Sequence, residues 1–246
     1  MSFSVVVPIH NEAEHLQEFV TNFLQGIADM REQLHEILLV ENGSTDDTFG
    51  VAQRLCADHP DVIRPLQLSE PSYGAAIRRG IEDSQGDWVC ILECDVMSTE
   101  FVRASAELLN ADGADFIVAS KRHPQSVDKR PIKRRILTRL FNSYLKLRLG
   151  FPGTDTHGLK AIRSQVARHI IGECITAGEV LQTEMVLLAY RLGYRVVEVP
   201  LRLEERRCPP VSIAKRFPKV MKMVGELRAS LSRFPAGAGK PYGRSR

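Results

Sequence analysis

Across 246 residues, 33 lysines and arginines against 30 acids leave a formal charge of +3, a near-neutral balance that gives no footprint for nucleic acid. The chain is long enough for a sizeable core, in one large α/β domain or two small ones, and no break in composition divides it. Its five cysteines, Cys56, Cys90, Cys94, Cys174 and Cys208, include no Cys-x-x-Cys pair, which argues for reduced thiols against a disulfide framework or a zinc site.

Phe3 to Val7 is expected as a short buried strand stopped by Pro8. Asn11-Glu12-Ala13-Glu14 then reads as a helix opening, with Asn as cap and an acid three residues later. Leu16, Phe19, Val20, Phe23, Leu24 and Ile27 continue it at helical spacing. Ile37 to Val40 is a second strand that ends in the polar run Glu41 to Thr48, after which Phe49, Ala52 and Leu55 space out a second helix. A third strand near Val62 to Leu68 leads to Tyr73-Gly74-Ala75-Ala76-Ile77, the opening of a helix that runs to Asp83.

Gly86-Asp87 introduces the apolar run Trp88 to Leu92, a central strand from whose end Glu93 and Asp95 depart. Two carboxylates one residue apart in extended backbone face the same side, so both can meet one hard cation such as Mg²⁺ or Mn²⁺. The bland alternative is a solvated strand end. Thr99 to Asn110 reads as a helix, Phe116 to Ser120 as a strand, and Lys121-Arg122-His123-Pro124 as the loop leaving it. Alternating strands and helices with short loops argue for an α/β fold, a mostly parallel sheet with helices on both faces. Ligands in such folds bind beyond the carboxyl ends of the strands. The residues following strands one, two and four, Pro8 to Glu12, Glu41 to Ser44 and Glu93 to Asp95, are therefore expected to converge. Acids for a metal and the cations Lys121 and Arg122 for phosphates suit a nucleoside diphosphate bound through a divalent ion.

Lys121 to Arg148 holds ten Lys or Arg against one acid, Asp128. From Pro131 to Leu149 a helix is expected in which Ile132, Ile136, Leu140 and Tyr144 recur every four residues, flanked by Leu137, Phe141 and Leu145, opposite Arg134, Arg135, Arg139 and Lys146. Such a basic amphipathic helix either lies on an anionic membrane surface or packs on the core with a solvated charged face, and periodicity alone favours packing. Gly153-Thr154-Asp155-Thr156-His157-Gly158-Leu159-Lys160 is a turn into a short strand. Glu179 to Arg191 is a helix and Tyr194 to Leu203 a strand. Phe217, Val220, Met221, Val224, Leu227 and Leu231 mark a last amphipathic helix, with Pro218 in its first turn or kinking it. The tail 235–246 is expected to be disordered.

These residues resemble a known family. Val5-Val6-Val7-Pro8-Ile9-His10-Asn11-Glu12, Val40 to Thr48, and Gly86-Asp87 leading to Glu93-Cys94-Asp95 are similar to the landmarks of inverting family 2 glycosyltransferases of the GT-A fold. Ser120-Lys121-Arg122, the basic helix ending in Leu149-Gly150, Asp155 to Lys160, and Val197-Glu198-Val199-Pro200 followed by Arg206-Arg207 resemble the dolichyl-phosphate mannose synthase branch. The resemblance implies a single GT-A domain over 1–234, with a nucleotide half to about residue 120 and an acceptor half beyond. It implies a nucleotide-facing set of Pro8, His10, Glu12, Glu41, Asn42, Gly74, Glu93, Cys94 and Asp95. Glu93 and Asp95 would hold Mg²⁺ or Mn²⁺, and Arg122 with Arg206 or Arg207 would contact phosphates. Glu184 and Asp155 are the candidate bases if the acceptor is a hydroxyl; otherwise Glu184 is a solvated helix acid and Asp155 a turn residue. The chain departs from the pattern at Glu93, where the family usually has Asp, at Met97, where the branch often has Gln, and at Arg207 to Ile213, a degraded Arg-x-x-Gly-x-Ser-Lys.

The implied activity is transfer of a hexose, mannose or glucose, from a GDP- or UDP-sugar to a polyprenyl phosphate at the cytoplasmic membrane face. A soluble hydroxyl acceptor, or a nucleotide-sugar-binding protein that has lost catalysis through Glu93 and Met97, are the alternatives. Met1 to Pro8 carries no basic segment or cleavage site, and no stretch approaches 18 uninterrupted apolar residues. The expectation is a cytoplasmic chain that does not span a membrane.

Overall fold

The computed structural model describes residues 1–94, 96, 98–128, 132–203 and 224–234. In chain order the elements are β1 (Phe3–Ile9), α1 (Leu16–Gly26), β2 (Leu34–Asn42), α2 (Thr48–Asp58), β3 (Ile63–Leu68), α3 (Tyr73–Asp83), β4 (Trp88–Ile91), α4 (Thr99–Asn110), β5 (Phe116–Ser120), β6 (Val127–Asp128), α5 (Ile132–Leu149), β7 (Lys160–Arg163), α6 (Ser164–Glu173), α7 (Leu181–Arg191), β8 (Val196–Pro200) and β9 (Arg202–Leu203). A seven-stranded sheet is ordered β3-β2-β1-β4-β7-β5-β8, and β6 pairs with β9 in a small second sheet. β7 runs antiparallel to both β4 and β5, while β1, β2, β3 and β4 run parallel. The strand order reverses at β1, which has β2 on one side and β4 on the other, so the crevice forms beyond the ends of β1 and β4.

Alternation along the strands sorts the core into two layers. Val5, Val7, Ile37, Leu39, Cys90 and Ile117 face α1, α2 and α4. Val6, Leu38, Val40, Val89, Ile91 and Val118 face α3, α6 and α7, together with Leu145 and Leu149 of α5. Helical residues 224–232 add Leu227 and Leu231 to this second layer.

Several boundaries differ from the sequence reading, each for a local reason. β1 runs through Pro8 to Ile9. The Val6 carbonyl accepts from Leu92, and the last β1–β4 pair is Val6 with Ile91. Pro8, two residues on and facing the same way, lies beyond β4, where a missing N–H costs no ladder bond. α1 begins at Leu16 and Asn11 is not its cap. Asn11 has φ of 55°, and its side-chain Oδ1 accepts from the Thr45 backbone N–H at 2.8 Å, tying the first loop to the second. β2 extends to Asn42, so Glu41 and Asn42 end the strand instead of following it. α6 starts without a loop after β7 and was absent from the sequence reading, as was β6. α7 begins at Leu181, two residues after the expected Glu179. The expected strand Tyr194 to Leu203 is divided at Leu201 into β8 and β9. Of the last expected helix only 224–232 is described; Phe217, Pro218, Val220 and Met221 lie outside the described residues, as does the tail from 235. Cys56, Cys90, Cys94 and Cys174 form no disulfide, and Cys208 lies outside the described residues.

α5 departs most from expectation. Ile132 is 70% exposed and Leu140 63%, with Ile136 also exposed, so the first part of the row that recurs every four residues points to solvent. Its packing face is Asn142, Leu145 and Leu149, with Phe141 and Tyr144 half-buried. Gly150, at φ of 67°, ends the helix in the left-handed conformation.

Candidate functional site

The ends of β1 and β2 are bonded into one surface. His10 Nδ1 donates to the Asn42 carbonyl at 2.8 Å, which leaves Nε2 to accept from Asn11 Nδ2 at 3.2 Å. The Glu12 backbone N–H donates to Thr48 Oγ1 at 2.8 Å. Pro8, Glu41 and Asn42 are buried. Glu41 Oε1 accepts the Ser44 N–H, and Asn42 Oδ1 accepts the Ser72 N–H. Glu41 thus shapes the turn around Gly43, whose φ is 64° and where a Cβ would lie 2.8 Å from the Pro71 ring.

Ser72 caps α3, accepting from the Ala75 N–H at 3.3 Å, and donates to the Ala177 carbonyl at 2.7 Å. Gly74 follows, and a Cβ there would lie 2.2 Å from the Ala177 oxygen. The structure therefore gives Gly74 a packing reason, close approach of α3 to the 174–180 loop. Arg78 extends the same strap, donating to the Ile171 carbonyl at 2.6 Å and the Cys174 carbonyl at 2.9 Å. Between this loop and the β1 and β2 ends lies a cavity of about 660 Å³, lined by His10, Asn42, Ser72, Tyr73, residues 175–180 and Glu226.

At the end of β4, Glu93 is half-buried and bridges to Val96, whose N–H donates to the Glu93 carbonyl at 2.9 Å. Cys94 is buried. Asp95 and Met97 lie outside the described residues, as do Arg206 and Arg207. Among the described residues no group of three or more His, Cys, Asp or Glu side chains forms a metal cluster. Glu93 supplies a hard carboxylate oxygen at a strand end, the donor type that Mg²⁺ and Mn²⁺ take.

Lys160, to which the sequence reading gave no role, is fully buried at the start of β7, opposite Ile91 of β4 and Val118 of β5. Its Nζ donates to the Gly158 carbonyl at 2.8 Å and to Gln182 Oε1. Burial pushes its pKa down to about 7; Glu93 and Asp155 oppose that shift and Lys121 adds to it. The only sequence signal was a lysine heading the apolar run Ala161-Ile162, which does not distinguish a buried from a solvated strand end.

The acceptor-side turn is held as tightly. Asp155 is buried, with Lys121 Nζ 3.3 Å from Oδ2. It also accepts the Lys121 and His157 N–H groups, each at 3.0 Å. Burial works to raise its pKa, but the Lys121 ammonium and these N–H groups outweigh it and hold the carboxyl below its ordinary value. Thr154 gives its N–H and hydroxyl to Glu198, and its carbonyl accepts from Asn142 of α5 at 2.7 Å. Arg122 is exposed beside this turn, its backbone N–H donating to Ser120 Oγ at 3.1 Å.

Glu184 departs from one of its two expected forms. It has no solvent exposure, so it is not a solvated helix acid. Its Oε1 accepts the Ile175 N–H at 2.9 Å and its Oε2 the Thr176 N–H at 3.0 Å, with the Thr176 hydroxyl as a third donor. Both oxygens are thus bonded to the 174–180 loop.

Comparison with known proteins accords with this architecture. Over 209 residues the chain is 29% identical to the polyprenol monophosphomannose synthase of Mycolicibacterium smegmatis, covering 82% of this chain and 77% of that protein. It is 26% identical over 211 residues to the undecaprenyl-phosphate mannosyltransferase of Micrococcus luteus, covering 84% and 85%. Glycosyltransferase AglD of Haloferax volcanii is 25% identical over 215 residues, 86% of this chain but only 34% of AglD, so the chain spans about a third of that relative. Among solved structures, glucosyl-3-phosphoglycerate synthase from Mycobacterium tuberculosis, in complex with Mn²⁺, UDP and phosphoglyceric acid, superposes with a TM-score of 0.65. That match has 20% identity over 96% of this chain and 79% of the other, a likeness of fold. Residues 4–170 match the profile of Glycosyl transferase family 2, and the chain belongs to that family as a glycosyltransferase.

Proposed function

We propose that the protein transfers a hexose, mannose or glucose, from a GDP- or UDP-sugar to a polyprenyl phosphate at the cytoplasmic membrane face, with inversion and with Mg²⁺ or Mn²⁺. The observation that carries this reading is that both candidate bases are sequestered. Glu184 and Asp155 are buried and bonded through both oxygens. A hydroxyl acceptor needs a base to take its proton, whereas a phosphate monoester is already anionic at neutral pH and needs mainly positioning. The curated relatives named for polyprenol and undecaprenyl-phosphate substrates support the same acceptor class.

The donor nucleotide would occupy the cavity beside His10, Asn42 and Tyr73. Glu93 and Asp95 would hold the cation, which supplies charge stabilisation to the leaving diphosphate. Arg122, Arg206 and Arg207 would orient phosphate oxygens by charge-assisted hydrogen bonds. The lipid half of the acceptor is supported by α5, where exposed Ile132, Ile136 and Leu140 lie on the same helix as exposed Arg139. Apolar side chains in solvent beside guanidinium groups suit an anionic bilayer surface. No described helix is long and apolar enough to cross a membrane, so contact through this helix would be peripheral.

The test is an acceptor pair. Purified protein with Mn²⁺ and GDP-mannose or UDP-glucose should glycosylate a short polyprenyl phosphate and leave the corresponding alcohol untouched. Equal transfer to the alcohol would mean that a base is present, and would overturn the phosphate-acceptor reading.

A further inference from the structure

The first turn of α7 places three consecutive polar side chains in the interior: Gln182, Thr183 and Glu184 are all buried, the last two with no exposure. Apolar residues would fill this space at lower cost, since each buried polar group must recover a lost hydrogen bond to water. Each of the three recovers it from a different part of the site. Gln182 Nε2 donates to the Tyr73 hydroxyl at the opening of α3, while its Oε1 accepts from Lys160. Thr183 Oγ1 shares a hydrogen bond of 3.0 Å with Thr156 Oγ1, next to the Asp155–Lys121 pair. Glu184 grips residues 175 and 176, which wall the cavity.

We infer that Gln182-Thr183-Glu184 is a positioning hub whose neighbouring residues serve different substrates, Glu184 the donor nucleotide and Thr183 the acceptor. The inference rests on the nucleotide-sugar reading given above. Glu184 acts through the loop: its carboxylate fixes 175–176, and the strap from Ser72 and the close approach at Gly74 carry that placement to Ala177 and Gly178. Thr183 acts through Thr156, and so on the turn where Asp155 holds Lys121 at the basic end of the site. Neither residue touches the substrates, so both are positioning residues.

Glu184→Gln keeps one acceptor oxygen but turns an amide NH₂ toward groups that donate, so one strap of the loop is lost. In this variant the Kd of UDP or GDP with Mn²⁺, read by calorimetry without any acceptor, should rise about tenfold, as expected for one missing hydrogen bond to a charged group. Its turnover at saturating donor should stay close to wild type. Thr183→Val should do the reverse, leaving the nucleotide Kd unchanged while raising KM for polyprenyl phosphate. Thr176→Val, which loosens the same strap from the loop side, gives a second reading of the donor arm should Glu184→Gln fold poorly. A merely structural turn would affect both substrates alike in all variants. That result overturns the inference. So does loss of turnover in Glu184→Gln with the nucleotide Kd unchanged, which would make Glu184 the base. A wild-type chain that binds neither nucleotide overturns the donor reading and this inference together, whereas nucleotide binding without the split sinks the inference alone.

Discussion

Lys160 has a lysine's charge in a place built for an apolar residue, between Ile91 and Val118 on the neighbouring strands. Burial strips the ammonium of water, and its two carbonyl-type acceptors, Gly158 and Gln182, satisfy donors without neutralising the charge, so the pKa falls to about 7 from 10.5. In the unfolded chain the ammonium persists to the ordinary value, so between the two values the unfolded state binds more protons than the folded one. Stability must then rise with pH across that window. Urea midpoints measured at pH 7 and about 8, below the ordinary thiol value of about 8.5 at which unfolded cysteines ionise, should increase in wild type by more than in Lys160→Met. An unchanged slope in the variant would locate the titrating group elsewhere. At this scale the sequence was readable only where a residue's neighbours in the chain are also its neighbours in space. The polar turn between β2 and α2 is such a case. Lys160 and Glu184 are not, because their burial depends on strands and loops distant in sequence.

Elements bounded by chemical punctuation were legible. α3 and α4 both begin after a serine whose hydroxyl accepts from the third residue on, and both boundaries agree with their sequence reading. α6 was missed although Val166, Ala167, Ile170 and Ile171 keep helical spacing, because Ser164 follows Arg163 of β7 with no turn residue between. β6 and β9 are two residues each, too short for any period to register. In α5 the period was legible but its direction was not. The helix turns Leu145 and Leu149 to the core and leaves Ile132, Ile136 and Leu140 outside, and Asn142 on its packed side donates to the Thr154 carbonyl. If those side chains meet lipid, Ile136→Glu with Leu140→Glu should reduce sedimentation with anionic vesicles by removing buried apolar area, about 1.5 to 3 kcal/mol per side chain as an upper bound. Transfer to a long-chain acceptor in vesicles should fall with it. Transfer to a short water-soluble phosphate should persist, since neither residue lies in the cavity. Loss with both acceptors would move this part of α5 into the active site, and loss with neither would leave it a solvated face.

Across the whole molecule the sheet separates the work of its two layers. The α1, α2 and α4 side is closed by apolar packing, while on the α3, α6 and α7 side the same kind of packing is interrupted near the strand ends by Lys160, Gln182, Thr183 and Glu184. Those groups are already bonded within the protein, so a ligand adds stability through its own contacts, by mass action. Nucleotide and metal should do so mainly together: if Glu93 and Asp95 hold the cation, their carboxylates fill only part of a shell of six or more ligands, the remainder coming from diphosphate and water. At about a hundredfold excess over Kd, UDP or GDP with Mn²⁺ should add roughly 2.7 kcal/mol, which for a chain of this length raises the melting temperature by about 5 to 10 °C. Either component alone should give a small part of that rise, and a chelator should abolish it. If Asp95 is a ligand to the cation, Asp95→Asn should lose the rise while melting as wild type does without ligand, because the amide keeps the shape of the side chain and removes its charge. Glu93→Asp should keep it, since that change restores the residue usual in the family. A full rise with nucleotide in the presence of chelator would show that the diphosphate is held by the cations alone, and would remove the carboxylate pair from the site.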